Sequence, residues 1–132
     1  MTRDLRREER PGLYCVELRT ANWQALVKWY REVLGLRVLV RVVDDGYALL
    51  EAGETRLSIV ARPSPGERST RISLAFVVGD VSQVCGRLEA AGSPISRPLR
   101  DEEGLREANT TDPDGNRIRL FSWPRGRASG EA

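Results

Sequence analysis

The segment DPDGNRIRLFSW, residues 112 to 123, concentrates groups that could do chemistry. The polar turn Asp112-Pro113-Asp114-Gly115-Asn116 leads into an alternating strand that carries Arg119, Phe121 and Trp123 on one face. A guanidinium beside aromatic rings suits an anionic or carbonyl-bearing ligand with a planar body, which the Trp123 ring could stack on. Two other roles stay open at this level. Arg119 could pair with Glu17 as a purely structural ion pair, and a terminal tryptophan can equally serve a subunit contact.

The strand LYCVELR sets Leu13, Cys15, Glu17 and Arg19 on one face and Tyr14, Val16 and Leu18 on the other. Cys15 and Glu17 could offer two donors to a metal, where a catalytic divalent ion wants about three. Cys15 could act as a nucleophile if a neighbouring cation such as Arg119 lowered its pKa, or it could be a small polarisable wall residue. The chain has no histidine. That absence removes the commonest metal ligand and the commonest general base together.

The 132 residues suit one domain, and the 21 basic and 19 acidic side chains nearly cancel. A net charge of +2 gives no electrostatic case for a nucleic-acid or membrane partner. Lys28 is the single lysine among the basic residues, so arginine is too common for any one arginine to be singled out by count. Cys15 and Cys85 show no CxxC spacing, and the start MTRDLRREERPG has no apolar stretch to serve as a signal peptide. No run approaches the roughly 18 apolar residues of a membrane span. These features predict a reduced, cytoplasmic protein.

The elements that must position these groups follow from periodicity. Residues 1–11 and 124–132 are expected to be disordered tails around a body from 12 to 123. After the first strand, Asn22 is the expected N-cap of WQALVKWYREVLG, and Gly35 its stop. LRVLVRVV and YALLEA form a hairpin through Asp44-Asp45-Gly46, and TRLSIVAR closes the first half. RISLAFVV, the Asp80-capped helix VSQVCGRLEAA, strands near 95–99 and 105–111, and NRIRLFSW repeat that order. The prediction is an α+β fold of tandem βαβββ halves, about 13–62 and 71–123. Cys85, on the inward stripe of the second helix, is expected in the core. Val16, Leu18, Leu57, Ile59, Ile72, Leu74, Ile118 and Leu120 are expected on the helix-packing side, and Trp23 at a cavity mouth or a subunit interface.

Taken in order, VELRTAN, WYREVLGL, FVVGDVSQVCGRLEAAG and DPDGNRIRLF resemble the vicinal oxygen chelate superfamily of glyoxalases, bleomycin-resistance proteins and extradiol dioxygenases. The resemblance covers the whole body. It implies that the two halves form a cupped mixed sheet around a cavity, that Trp29, Tyr30 and Phe76 lie in the core where the helices pack on the sheets, and that the protein dimerises as the family commonly does. In the superfamily's enzymes a divalent cation sits on side chains from the first and last strands of each half. Those positions fall here on Cys15, Ser58, Ser73 and Arg119, none of which matches the family's His, Gln and Glu.

The resemblance therefore implies a metal-free, cofactor-free protein that binds a small planar or partly anionic molecule, in the manner of the resistance branch. The implied ligand-binding residues are Cys15, Glu17, Ser58, Ser73, Arg119, Phe121 and Trp123, in a homodimer. Two alternatives remain at this stage. One is a metal-dependent lyase, isomerase or dioxygenase that uses carboxylates such as Glu51 or Glu107. The other is a non-catalytic partner or regulatory domain.

Overall fold

The alternation and helical spacing resolve into ten elements in a computed structural model that describes residues 9–101 and 104–123. The tails expected at the two ends lie largely outside these described residues, as do residues 102 and 103. The first half runs β1 (Val16–Thr20), α1 (Trp23–Glu32), β2 (Arg37–Val42), β3 (Tyr47–Ala52) and β4 (Thr55–Ala61). The second runs β5 (Ser73–Val77), α2 (Val81–Ala90), β6 (Ser96–Asp101), β7 (Gly104–Thr111) and β8 (Arg117–Phe121). Each half makes a four-stranded sheet, ordered β1-β4-β3-β2 and β5-β8-β7-β6, with its first strand at an edge and parallel to its last.

Local chemistry accounts for the boundaries. Asp80 caps α2 as expected, its carboxylate accepting from the Gln83 N–H at 3.2 Å. Asn22 precedes α1 without a side-chain capping bond. Instead its N–H donates to Thr20 Oγ1 at 2.9 Å, which ties the strand end to the helix start. Gly35, at φ 80°, turns the chain so that the Leu36 N–H returns to the Tyr30 carbonyl at 3.0 Å. Gly46, at φ 58°, closes the β2–β3 hairpin against Ala61, whose side chain leaves no room for a methyl group there.

One core serves both halves. Leu26, Val27, Trp29 and Tyr30 from α1 join Leu57 and Ile59 of β4, Val84 and Leu88 of α2, and Ile118 and Leu120 of β8 in a single cluster. Val16, Leu18, Leu74 and Phe76 pack against it from the two edge strands, which fixes the register of all four strands. Cys85 is buried in a small satellite cluster with Val81 and Ala108. Ile72 departs from expectation: it precedes β5 and is 65% exposed, so it is not part of this core. Trp23 is buried, donates from Nε1 to the Ile59 carbonyl at 2.9 Å, and carries the Arg41 guanidinium over its ring at 5.7 Å.

Polar contacts sew the halves together across the helices. Trp29 Nε1 donates to Ser93 Oγ at 3.0 Å, and Arg87 Nε donates to the Val33 carbonyl at the end of α1 at 2.8 Å. The second contact puts a cation where the C-terminal carbonyls of α1 gather partial negative charge.

Candidate functional site

With alternate residues committed to the core, the other face of each sheet is left for function. On the first sheet Glu17 stands beside Ser58 in register, and Cys15 donates to Ser58 Oγ across 3.7 Å. Ser58 is almost fully buried, so this hydroxyl belongs to the sheet more than to solvent. Glu17 lies 3.8 Å from Arg19, both exposed. Burial, and then the nearby Tyr14, Cys15 and Glu17, push the Tyr47 hydroxyl above its ordinary pKa.

On the second sheet Ser73, Ala75 and Val77 of β5 flank Arg119 and Phe121 of β8, with Glu107 and Asn109 of β7 on the far side. Arg119 Nε sits 3.7 Å from Glu107 Oε1, and its guanidinium lies 5.3 Å from the centre of the Phe121 ring. Phe121 meets Trp123 edge-on, with ring centres 5.5 Å apart and planes at 87°. A cation, a carboxylate and two aromatic rings thus form one accessible array.

The residues picked out in the sequence therefore fall into two sets: Cys15, Glu17 and Ser58 on one sheet, and Ser73, Arg119, Phe121 and Trp123 on the other. Among the described residues no hydrogen bond, ion pair or ring contact joins the sets. The suggested Arg119–Glu17 pair is replaced by two pairs, Arg119–Glu107 and Arg19–Glu17. Glu107 was visible in sequence only as a spare carboxylate. Its place opposite Phe121 and diagonal to Arg119 needed the β7–β8 register.

The four positions that the resemblance assigns to metal ligands, Cys15, Ser58, Ser73 and Arg119, supply a thiol, two hydroxyls and a guanidinium. This donor set does not fit a divalent cation, since hydroxyls are weak ligands and the guanidinium is a fixed charge of the same sign. Among the described residues no three His, Cys, Asp or Glu side chains cluster as a metal site would require.

Within the acidic turn, the Asp112 carboxylate has a structural task. Asp112 is buried, and its Oδ1 accepts from the backbone N–H groups of Asp114 and Asn116, both at 2.9 Å. Its Oδ2 accepts from Asn116 Nδ2 at 2.8 Å and from the Tyr30 hydroxyl at 2.6 Å. The turn is thus the second half's grip on α1 of the first. Pro113 and Gly115 only announce a turn; that Tyr30 completes it could not be read from either segment alone.

This joint makes stability depend on pH at the alkaline end. Burial first, and then the Asp112 charge and hydrogen bond, raise the Tyr30 pKa far above its ordinary 10.0. The unfolded chain releases that proton as pH rises past about 10 while the folded chain keeps it, so unfolding becomes easier there. Burial, with Glu89 close by, raises the Cys85 thiol from 9.0 and acts in the same direction. Urea midpoints are therefore expected to fall steadily above pH 9 to 10, and Tyr30→Phe to flatten that fall. An unchanged slope in Tyr30→Phe would show that another group carries the effect.

Among the described residues no helix is long and apolar enough to cross a membrane. Known proteins share both the sequence pattern and the fold. A Bacillus subtilis (strain 168) protein described as the uncharacterized protein YraH is 26% identical, over 80% of this chain and 94% of its own. Two solved structures have the same architecture. The antibiotic binding protein TnmS3 of Streptomyces sp. CB03234 superposes with a TM-score of 0.66 at 22% identity, over 87% of this chain and 98% of its own. Lactoylglutathione lyase from Agrobacterium tumefaciens does so at 0.60 and 17%, over 86% and 94%. The family profile itself matches residues 12–120. With the repeated βαβββ topology, that match establishes that the chain belongs to the Glyoxalase/Bleomycin resistance protein/Dioxygenase superfamily.

Proposed function

We propose that this protein binds and sequesters a small planar, partly anionic molecule without a metal. The observation that carries this reading is the array on β8: Arg119 beside the Phe121 and Trp123 rings, on an accessible face; the family resemblance assigns the Arg119 position to a metal-binding carboxylate, which supports a metal-free reading. Such a face can orient a carboxylate or carbonyl through the guanidinium while the rings cover the ligand body. The fold of the antibiotic binding protein from Streptomyces is compatible with such a role.

The ligand lies between this face and the outward face of the first sheet of a second copy, which brings Cys15 and Glu17 opposite Arg119, with the buried Ser58 behind them. Exposed apolar side chains support a partner there: Val77 is 51% exposed on one sheet, and Val40 and Val42 are 43% and 38% exposed on the other. A native mass spectrum of untagged protein, purified without chelators, tests the reading. The expected species is a dimer of bare polypeptide mass or one that carries an organic adduct. A dimer that holds a stoichiometric divalent ion would overturn the metal-free reading and restore a lyase or dioxygenase built on carboxylates.

A further inference from the structure

Between the two halves, where the free edges of β1 and β5 both line its wall, lies a groove of about 530 Å³. That size suits a small ligand. Leu18, Ile72 and Leu74 supply apolar surface, and the 65% exposure of Ile72 leaves that surface open to a ligand. Glu17 and Arg19 of β1, which also line the groove, pair with each other at 3.8 Å, while Glu67 and Arg68 from the connecting loop, Asp114 from the acidic turn and Arg117 from β8 supply charge.

These four side chains line one groove with opposite signs, yet among the described residues none of them enters an ion pair. Arg68 is nonetheless seated. Its side chain lies over Gly115, where an added methyl carbon would stand only 3.0 Å from Arg68 Cδ. The glycine thus serves two ends, the φ of 85° that the turn requires and the clearance that lets the arginine lie flat.

We propose that this groove binds a small zwitterion of the α-amino-acid or short-peptide kind with an aliphatic body. Its carboxylate meets Arg68 and Arg117, its ammonium meets Glu67 and Asp114, and its side chains rest on Ile72 and Leu74. A simple anion would gain the guanidinium groups but face two carboxylates, and a simple cation would meet the reverse. Only a ligand with both charges pairs both sets. The site is separate from the β8 array, since Arg119, Phe121 and Trp123 do not line the groove.

The test is a chemical-shift titration with the dipeptide leucyl-leucine, its N-acetyl form and its C-terminal amide. Saturable shifts are expected at Ile72, Leu74 and Arg117, with each capped form binding about tenfold more weakly. Arg68→Ala and Glu67→Gln should each cost about tenfold, while Arg119→Glu should leave the titration unchanged. Equal affinity for the N-acetyl form would reduce the groove to an anion site and sink the proposal. Shifts that fail to saturate, or that saturate with unchanged affinity in Arg68→Ala, would sink it too. Because Arg119 takes no part, failure here leaves the β8 reading standing, and the reverse holds; Glu17, which lines both places, is left unaltered in both tests.

Discussion

Asp112→Ala is expected to lower folding stability by about 3–5 kcal/mol and to drop the melting temperature by roughly 10 °C or more. The size follows from four hydrogen bonds to one buried carboxylate, two of which shape the turn while one holds Tyr30. Removing the carboxylate leaves the Tyr30 hydroxyl buried with no partner, and that desolvation is part of the cost. Tyr30→Phe should cost less, about 1–3 kcal/mol, because the ring keeps its edge-on contact with Trp29 and Asp112 keeps Asn116. The double variant should cost less than the sum of the singles. Urea denaturation of the three variants measures this, and a strictly additive result would show that the hydroxyl and the carboxylate do not depend on each other.

Arg119→Glu should separate the fold from the site. The Arg119–Glu107 pair is exposed and so contributes at most about 1 kcal/mol, which predicts a melting temperature close to that of the parent. Binding should respond differently. The substitution removes a guanidinium and sets a second carboxylate beside Glu107, so an aromatic carboxylate probe should bind about 100-fold more weakly by Trp123 fluorescence. Arg119→Gln, without the added repulsion, should fall between. Unchanged affinity in both variants would remove Arg119 from the ligand and with it the basis of the proposed function.

Most of the architecture is legible because the first and last strands of each half have a strict apolar side. Val16 and Leu18, Leu57 and Ile59, and Ile118 and Leu120 leave one register that buries them all. The Asp80 cap and the hairpin at Gly46 were equally local. What escaped was long-range. Glu107 as the neighbour of Arg119 follows from strand pairing, and Tyr30 as the partner of Asp112 follows from how the halves pack. Ile72 looked like a core residue because it continues the alternation of β5, but the strand begins one residue later and the edge leaves it open. The groove was invisible in sequence because a loop, a turn and two strand edges far apart in the chain build it together.

The joint at Asp112 also bears on symmetry. The β3–β4 connection is a short turn at Gly53 and Glu54, whereas β7 and β8 are joined by the longer acidic turn that reaches across to α1. The chain repeats its topology but not this connection, so its halves are not interchangeable: a pair of first halves would have the tyrosine and lack its acceptor. The two sheet faces have diverged with it, a thiol and hydroxyl on one and a guanidinium with two rings on the other. A molecule held between such unlike walls has one preferred way round.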